Sequence, residues 1–125
     1  MIYRFGDYAL DTSGFELRHG DDFVPVEPQV FSILAFLIEN RAQVVSSDDL
    51  ILSVWNGRIV SEATLSSRIS AARQAVGDSG AAQEVIKTIR SRGFRFMAEG
   101  TEIENAHSGK TARSNSPFSN QKIRF

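Results

Sequence analysis

SEATLSSRISAARQAVGDSGAAQEVIKTIRSRGFRFM, residues 61–97, divides into a capped amphipathic helix, a short polar link and a hairpin with arginines at its tip. Leu65, Ile69, Ala72 and Val76 follow one another at steps of four, three and four. That spacing lays them on one stripe of a helix, facing a core. Ser61 is a start signal and Gly77 a stop signal. At about 100° per residue, the opposite face carries Ala63, Ser67, Ser70, Ala71 and Gln74, with Arg68 and Arg73 on its flanks.

Small side chains let a helix backbone approach base edges in a DNA major groove, and flanking guanidinium groups reach phosphates on either strand. An ordinary solvated helix face has a similar composition, so the helix alone does not decide the function. The next segment shifts the balance. EVIKTIRSRGFRFMA, residues 84–98, is rich in β-branched and aromatic residues, and Ser91, Arg92 and Gly93 mark a turn between two strand-like runs. Its tip is expected to present Arg90, Arg92 and Arg95 around one glycine. Phe94 and Phe96 share the inward parity and serve as core anchors, leaving Arg95 outward. Ile86 and Ile89 break strict alternation, which predicts a twisted or bulged first strand.

The formal net charge of −1 and pI near 6.1 conceal a division along the chain. Residues 1–57 hold three arginines against nine carboxylates. Residues 58–99 hold Arg58, Arg68, Arg73, Lys87, Arg90, Arg92 and Arg95 against four carboxylates, and the remainder has four basic residues against two acids. Positive charge therefore coincides with the helix and hairpin, the two elements shaped for a major groove and an adjacent minor groove.

With 125 residues, 42% of them hydrophobic, the chain has enough apolar material for one domain with a real core. The absence of cysteine excludes a disulfide framework and thiolate metal sites. The longest apolar region, near residues 30–38, is far short of the roughly 20 residues that span a bilayer, and the N-terminus has no secretory pattern. A cytoplasmic protein with no membrane segment is expected.

Upstream, IYRFGDYALDTSGFELRHGDDFVPV alternates β-prone runs with the turn formers DTSG and HGDD, predicting a small antiparallel sheet of three or four strands. Glu27 and Pro28 open a helix whose apolar face is Val30, Phe31, Leu34, Leu37 and Ile38. Ser46 with Asp49 resembles a capping box ahead of Leu50, Ile51, Val54 and Trp55, with Trp55 read as a core plug. Asn56-Gly57 ends this second helix. One domain over residues 1–99 is expected, followed by a polar, disordered tail or linker over 100–125. Within that tail, Lys110, Arg113, Lys122 and Arg124 offer nonspecific attraction to phosphate.

Three segments then carry a resemblance: VEPQVFSILAFLIENRAQVVSSDDLILSVW, VSEATLSSRISAARQAVGD and VIKTIRSRGFRF. In this order and spacing, across about residues 2–98, the chain resembles the OmpR/PhoB-type winged helix-turn-helix family. The resemblance implies an α+β fold: an N-terminal antiparallel sheet, three helices and a C-terminal β-hairpin wing, with residues 61–76 as recognition helix and residues 85–97 as wing. Carried over position by position, it implies Thr64, Ser67, Arg68 and Ala71 toward the groove, Arg73 and Thr88 toward phosphate, and Arg90 with Arg92 toward the minor groove. It also implies that residues 56–60 match a loop that touches RNA polymerase in some relatives, and that copies pair head to tail on DNA.

Ala63 and Ala71 stand where relatives often carry basic side chains, which shifts base readout toward Thr64 and Arg68; Ala71 can still meet a thymine methyl group. No receiver domain accompanies the helices, so no phosphorylation switch carries over. The composition looks closer to CadC/ToxR-like or repeat-fused regulators, which normally continue into another domain. The chain therefore reads as a truncated form, a stand-alone binder or a fragment whose sensor lies elsewhere.

Binding of double-stranded DNA for transcriptional regulation is the leading expectation, without cofactor or metal. The competing expectation is a winged-helix protein-interaction module with little DNA affinity, which Ala63, Ala71 and the acidic first half permit. An enzyme is disfavoured. His19 falls in a turn and His107 in the tail, neither within an acid-base or metal constellation, and no phosphate-binding glycine loop is present. Asp21-Asp22 has a turn role, and Asp48-Asp49 places charge at a helix start.

Overall fold

Short alternating runs separated by tight turns build the first part of the molecule, as the spacing of apolar residues requires. The computed structural model describes residues 1–98 and 101–104. Strands β1 (Ile2–Phe5), β2 (Tyr8–Asp11), β3 (Glu16–His19) and β4 (Asp22–Phe23) form an antiparallel meander. Tyr3, Phe5, Leu10 and Leu17 are its buried side chains, with Tyr3 opposite Leu10 and Leu10 opposite Leu17.

Pro28 starts α1 (Pro28–Glu39), because its fixed φ suits the first turn and its missing N–H has no partner there in any case. Val30, Phe31, Ile33, Leu34, Leu37 and Ile38 are buried, which makes this helix the central rod of the core. Helix α2 (Ser47–Trp55) begins where the Ser46 hydroxyl accepts from the Asp49 N–H at 3.0 Å. Only Leu50 of this helix is fully buried; Trp55 packs half-buried against the core. Asn56 and Gly57, with φ of 55° and 79°, supply two successive left-handed residues that turn the chain out of α2. Helix α3 (Glu62–Ala75) follows, and strands β5 (Ile86–Ile89) and β6 (Gly93–Phe96) pair as a hairpin.

Two sequence expectations are corrected. The sheet does not stop at four strands: β7 (Glu102–Glu104) pairs antiparallel with β1, giving the order β4-β3-β2-β1-β7. The register sets Ile103 opposite Tyr3 and Glu102 opposite Arg4, a pairing that the polar composition of this stretch hid. The expected tail from residue 105 onward, including its four basic residues, lies outside the described residues.

The second correction concerns only the bulged alternative for β5: no bulge is present. Four consecutive pairs, Ile86 with Phe96 through Ile89 with Gly93, run in unbroken register. Ile86 is buried, while Ile89 stands on the other face and is half-buried. Among the described residues no helix is long and apolar enough to cross a membrane.

Candidate nucleic-acid interface

Helix α3 forms where the sequence places it. The Ser61 hydroxyl accepts from the Thr64 N–H at 3.1 Å and donates to the Thr64 hydroxyl at 2.9 Å, so the first turn is capped and Thr64 is held in place. Leu65, Ile69, Ala72 and Val76 are buried. Gly77 stops the helix at φ 73°, against Tyr8, whose hydroxyl would lie 2.7 Å from any Cβ added there. The outward stripe consists of Ala63, Ser67, Ser70 and Gln74, joined by Ser66, all exposed.

Two side chains expected on or beside that stripe are less exposed than the rest. Ala71 is half-buried, packed against the core beside Pro25, Val26 and Val30. A helical wheel alone could not show that the segment ahead of α1 comes beside this part of α3. Arg68 is also half-buried, and its Nε donates to Gln29 Oε1 on α1 at 3.1 Å. That bond holds the arginine at the edge of the exposed face.

Arg73 departs furthest from expectation. Rather than reaching outward for phosphate, it is only 8% exposed. Its Nε donates to the Ile86 carbonyl at 3.0 Å, and a terminal nitrogen donates to Thr88 Oγ1 at 2.7 Å. Burial lowers the pKa of this guanidinium below its ordinary value, and the nearby Asp78 carboxylate pulls it back up.

Asp78, one of the four carboxylates of residues 58–99, is also only 8% exposed. Its Oδ1 accepts from the Glu84 N–H at 2.9 Å, and its Oδ2 from the N–H groups of Val85 and Ile86, each at 3.0 Å. Burial pushes this carboxyl up, but hydrogen bonds from Ile86, Glu84, Val85 and Ser79 outweigh it and hold it below the usual carboxylate value. No local pattern marks Asp78, since three of its donors come six to eight residues later, after a loop.

The wing is fixed from three sides. The Arg73 and Asp78 bonds tie β5 to the end of α3. Phe96 meets Phe5 edge-on at a centroid distance of 5.1 Å, which ties β6 to the N-terminal sheet. Val45 and Phe94 exchange backbone hydrogen bonds of 2.7 and 2.8 Å, an isolated bridge that fastens the link between α1 and α2 to β6.

At the tip, Ser91 takes φ 63°, and the Arg92 N–H donates to the Ile89 carbonyl at 2.9 Å. Arg90 and Arg92 are exposed, as is Thr88. Arg95 does not join them: it is half-buried and its Nε donates to the Arg41 carbonyl at 3.2 Å. Lys87, directly opposite Arg95 in the register, is an exposed cation that the sequence reading had counted only as charge. Arg58 is likewise exposed in the α2–α3 connection, beside a fully exposed Ile59.

The geometry therefore brings together a capped helix with a small-residue outer face and a hairpin with two free arginines at its tip, joined by buried hydrogen bonds. Comparisons with known proteins agree with this arrangement. The family described as "Transcriptional regulatory protein, C terminal" matches residues 20–96. Transcriptional activator CadC of Escherichia coli (strain K12) is 27% identical over 97 residues, covering 77% of this chain and 19% of that protein. The phosphate regulon transcriptional regulatory protein PhoB of Klebsiella pneumoniae is 30% identical over 91 residues, covering 72% of this chain and 39% of that protein. The chain thus spans well under half the length of either regulator. The Klebsiella pneumoniae RstA DNA-binding domain, solved in complex with the RstA box, shares the fold with a TM-score of 0.69 at 22% identity. That likeness covers 77% of this chain and 96% of that domain.

Proposed function

Because the chain belongs to the transcriptional regulatory protein C-terminal family, the winged helix-turn-helix domains of OmpR/PhoB type, we propose that it binds double-stranded DNA to regulate transcription. Helix α3 enters the major groove and the β5–β6 wing lies at the adjacent minor groove. The observation that carries this reading is the buried tie between the two elements, which holds a capped helix and the exposed Arg90 and Arg92 as one rigid unit. A rigid pair of reading elements binds without ordering either of them first.

On this reading Thr64, Ser67 and Arg68 face base edges and nearby phosphates, Thr88 meets a phosphate, and Arg90 with Arg92 follows the minor groove. Ala71 sits at the margin of the reading face because it is half-buried. Arg73 contributes from behind the surface.

Two further contacts belong to the same proposal. The connection at residues 56–60 presents exposed Arg58 and Ile59, with Leu52 exposed beside Gly57, an apolar and cationic surface suited to a protein such as RNA polymerase. Head-to-tail pairing places two copies on half-sites about one helical turn apart. Action on DNA in this way places the protein in the cytoplasm.

The exposed Leu52 and Ile59 also favour a second reading, in which the domain serves as a protein-interaction module with little DNA affinity. Fluorescence anisotropy of a labelled mixed-sequence duplex, titrated at several salt concentrations with wild type, Arg68→Ala and Arg90→Ala, separates the two. Salt-sensitive binding weakened by both substitutions supports DNA recognition. Absent or salt-insensitive binding, unchanged in the variants, supports the interaction module.

A further inference from the structure

Arg73 and Thr88 were both expected to meet phosphate separately, yet in the structure one holds the other. A guanidinium has donors and no acceptor, so Thr88 Oγ1 accepts on the Arg73 side and its own proton points elsewhere. A hydroxyl that accepts from a cation is polarised into a stronger donor. Thr88 is exposed and lines an open cleft of about 370 Å³ between the start of α2 and the wing tip, together with Ser46, Ser47, Asp48 and Arg92.

The strand that carries Thr88 is itself clamped. Ile86 is gripped at its carbonyl by Arg73 and at its N–H by Asp78, each at 3.0 Å. The Thr88 N–H donates to Gln83 Oε1 at 2.9 Å, which fixes the backbone at the threonine. With Arg73 on one side of its oxygen, the hydroxyl keeps its proton for an acceptor away from Arg73.

We infer that Arg73 is a positioning residue for DNA phosphate: it locks the wing to α3 and turns the Thr88 hydroxyl into an outward donor for one phosphodiester oxygen. The inference rests on the DNA-binding reading above and adds to it a buried arginine that touches no phosphate. Arg73 loses its donor geometry if shortened or neutralised, and Thr88 then loses both its orientation and its polarisation.

The test is a double-mutant cycle of duplex affinity and salt slope with wild type, Arg73→Gln, Thr88→Val, Thr88→Ser and Arg73→Gln/Thr88→Val, each first shown to be folded by circular dichroism. Thr88→Val, which keeps the β-branched shape, is expected to bind about tenfold more weakly, the effect of one charge-assisted hydrogen bond. Thr88→Ser is expected to bind like wild type. Arg73→Gln is expected to lose about as much as Thr88→Val with its salt slope unchanged, and the double variant no more than the weaker single variant. Arg73→Lys, which keeps the charge without the planar fork, replaces Arg73→Gln if that variant does not fold.

Additive losses, with the slope of Arg73→Gln reduced by about one, identify a direct phosphate contact and overturn the inference. Wild-type affinity in Thr88→Val overturns it as well, as does an Arg73 variant that is less stable but binds normally. A wild-type protein that binds no duplex removes the DNA reading and this inference together, whereas binding without coupling removes the inference alone.

Discussion

At Gly93 the wing passes so close to the α1–α2 link that a Cβ would fall 2.0 Å from the Val45 carbonyl oxygen and 2.8 Å from the Ser46 Cα. Both neighbours are backbone, and φ at this position is 141°, so neither the wing nor the link can yield cheaply. Gly93→Ala is expected to destabilise the protein by about 3 kcal/mol or more, read as a lowered urea midpoint. Asp78 makes a different prediction at this scale. Its folded pKa lies below the ordinary 3.8, so its stabilisation is present above pH 3.8 and disappears as pH falls through the lower folded value. Thermal unfolding of wild type and Asp78→Asn between neutral and acid pH checks this: the difference in Tm should be large at neutral pH and shrink below pH 3.8. A gap independent of pH assigns the difference to shape rather than charge.

At the scale of elements, α3 depends on its cap. The Ser61 hydroxyl satisfies the Thr64 N–H and also bonds to the Thr64 side chain, so Ser61→Ala is expected to cost about 1 kcal/mol of stability and to free Thr64. Denaturant unfolding reads the first effect. Weaker selection among duplex sequences, with the salt slope retained, reads the second. The hairpin depends on tertiary anchors instead: two four-residue strands are marginal alone, and Phe96 against Phe5, Val45 against Phe94 and the Arg73 bonds supply what they lack. The sequence pattern located both elements because capping, a 3.6-residue period and β-branched composition are local properties. It did not show the burial of Arg73 or the bond that occupies Arg95, because the acceptors lie in other segments: Ile86 and Thr88 for the first and Arg41 for the second.

Across the whole molecule, charge is distributed rather than abundant. Of the exposed cations among the described residues, Arg58, Lys87, Arg90 and Arg92 follow residue 57 and Arg4 precedes it, whereas carboxylates dominate the first 57 residues. If about four to six phosphates are neutralised per copy, log affinity is expected to fall with log salt at a slope near −4 to −5, measured by anisotropy over a range of sodium chloride. A slope near zero removes phosphate contact as the source of affinity. The five-stranded sheet predicts a further outcome at this scale. Because β7 covers one edge of β1, Ile103→Pro, which removes a backbone donor beside Tyr3, is expected to lower Tm while leaving duplex affinity within about twofold. A large loss of affinity would tie that edge to the reading surface.

The sequence by itself determined the order of the elements, the apolar faces of α1 and α3, the caps at Ser46 and Ser61, the turn at Asn56-Gly57 and the inward parity of Phe94 and Phe96. Each follows from residues within a few positions of one another, where periodicity and backbone preference act directly. Tertiary structure alone decided which arginines are free. Arg68, Arg73 and Arg95 find acceptors on Gln29, Ile86 with Thr88, and Arg41, contacts that span from 13 to 54 residues, whereas Arg90 and Arg92 stay exposed at a turn. It also decided that residues 102–104 complete the sheet, since β1 offered an unpaired edge that no reading of those residues alone could reveal. A side chain's type fixes what it can donate or accept; only the packed chain fixes whether a partner takes it before DNA can.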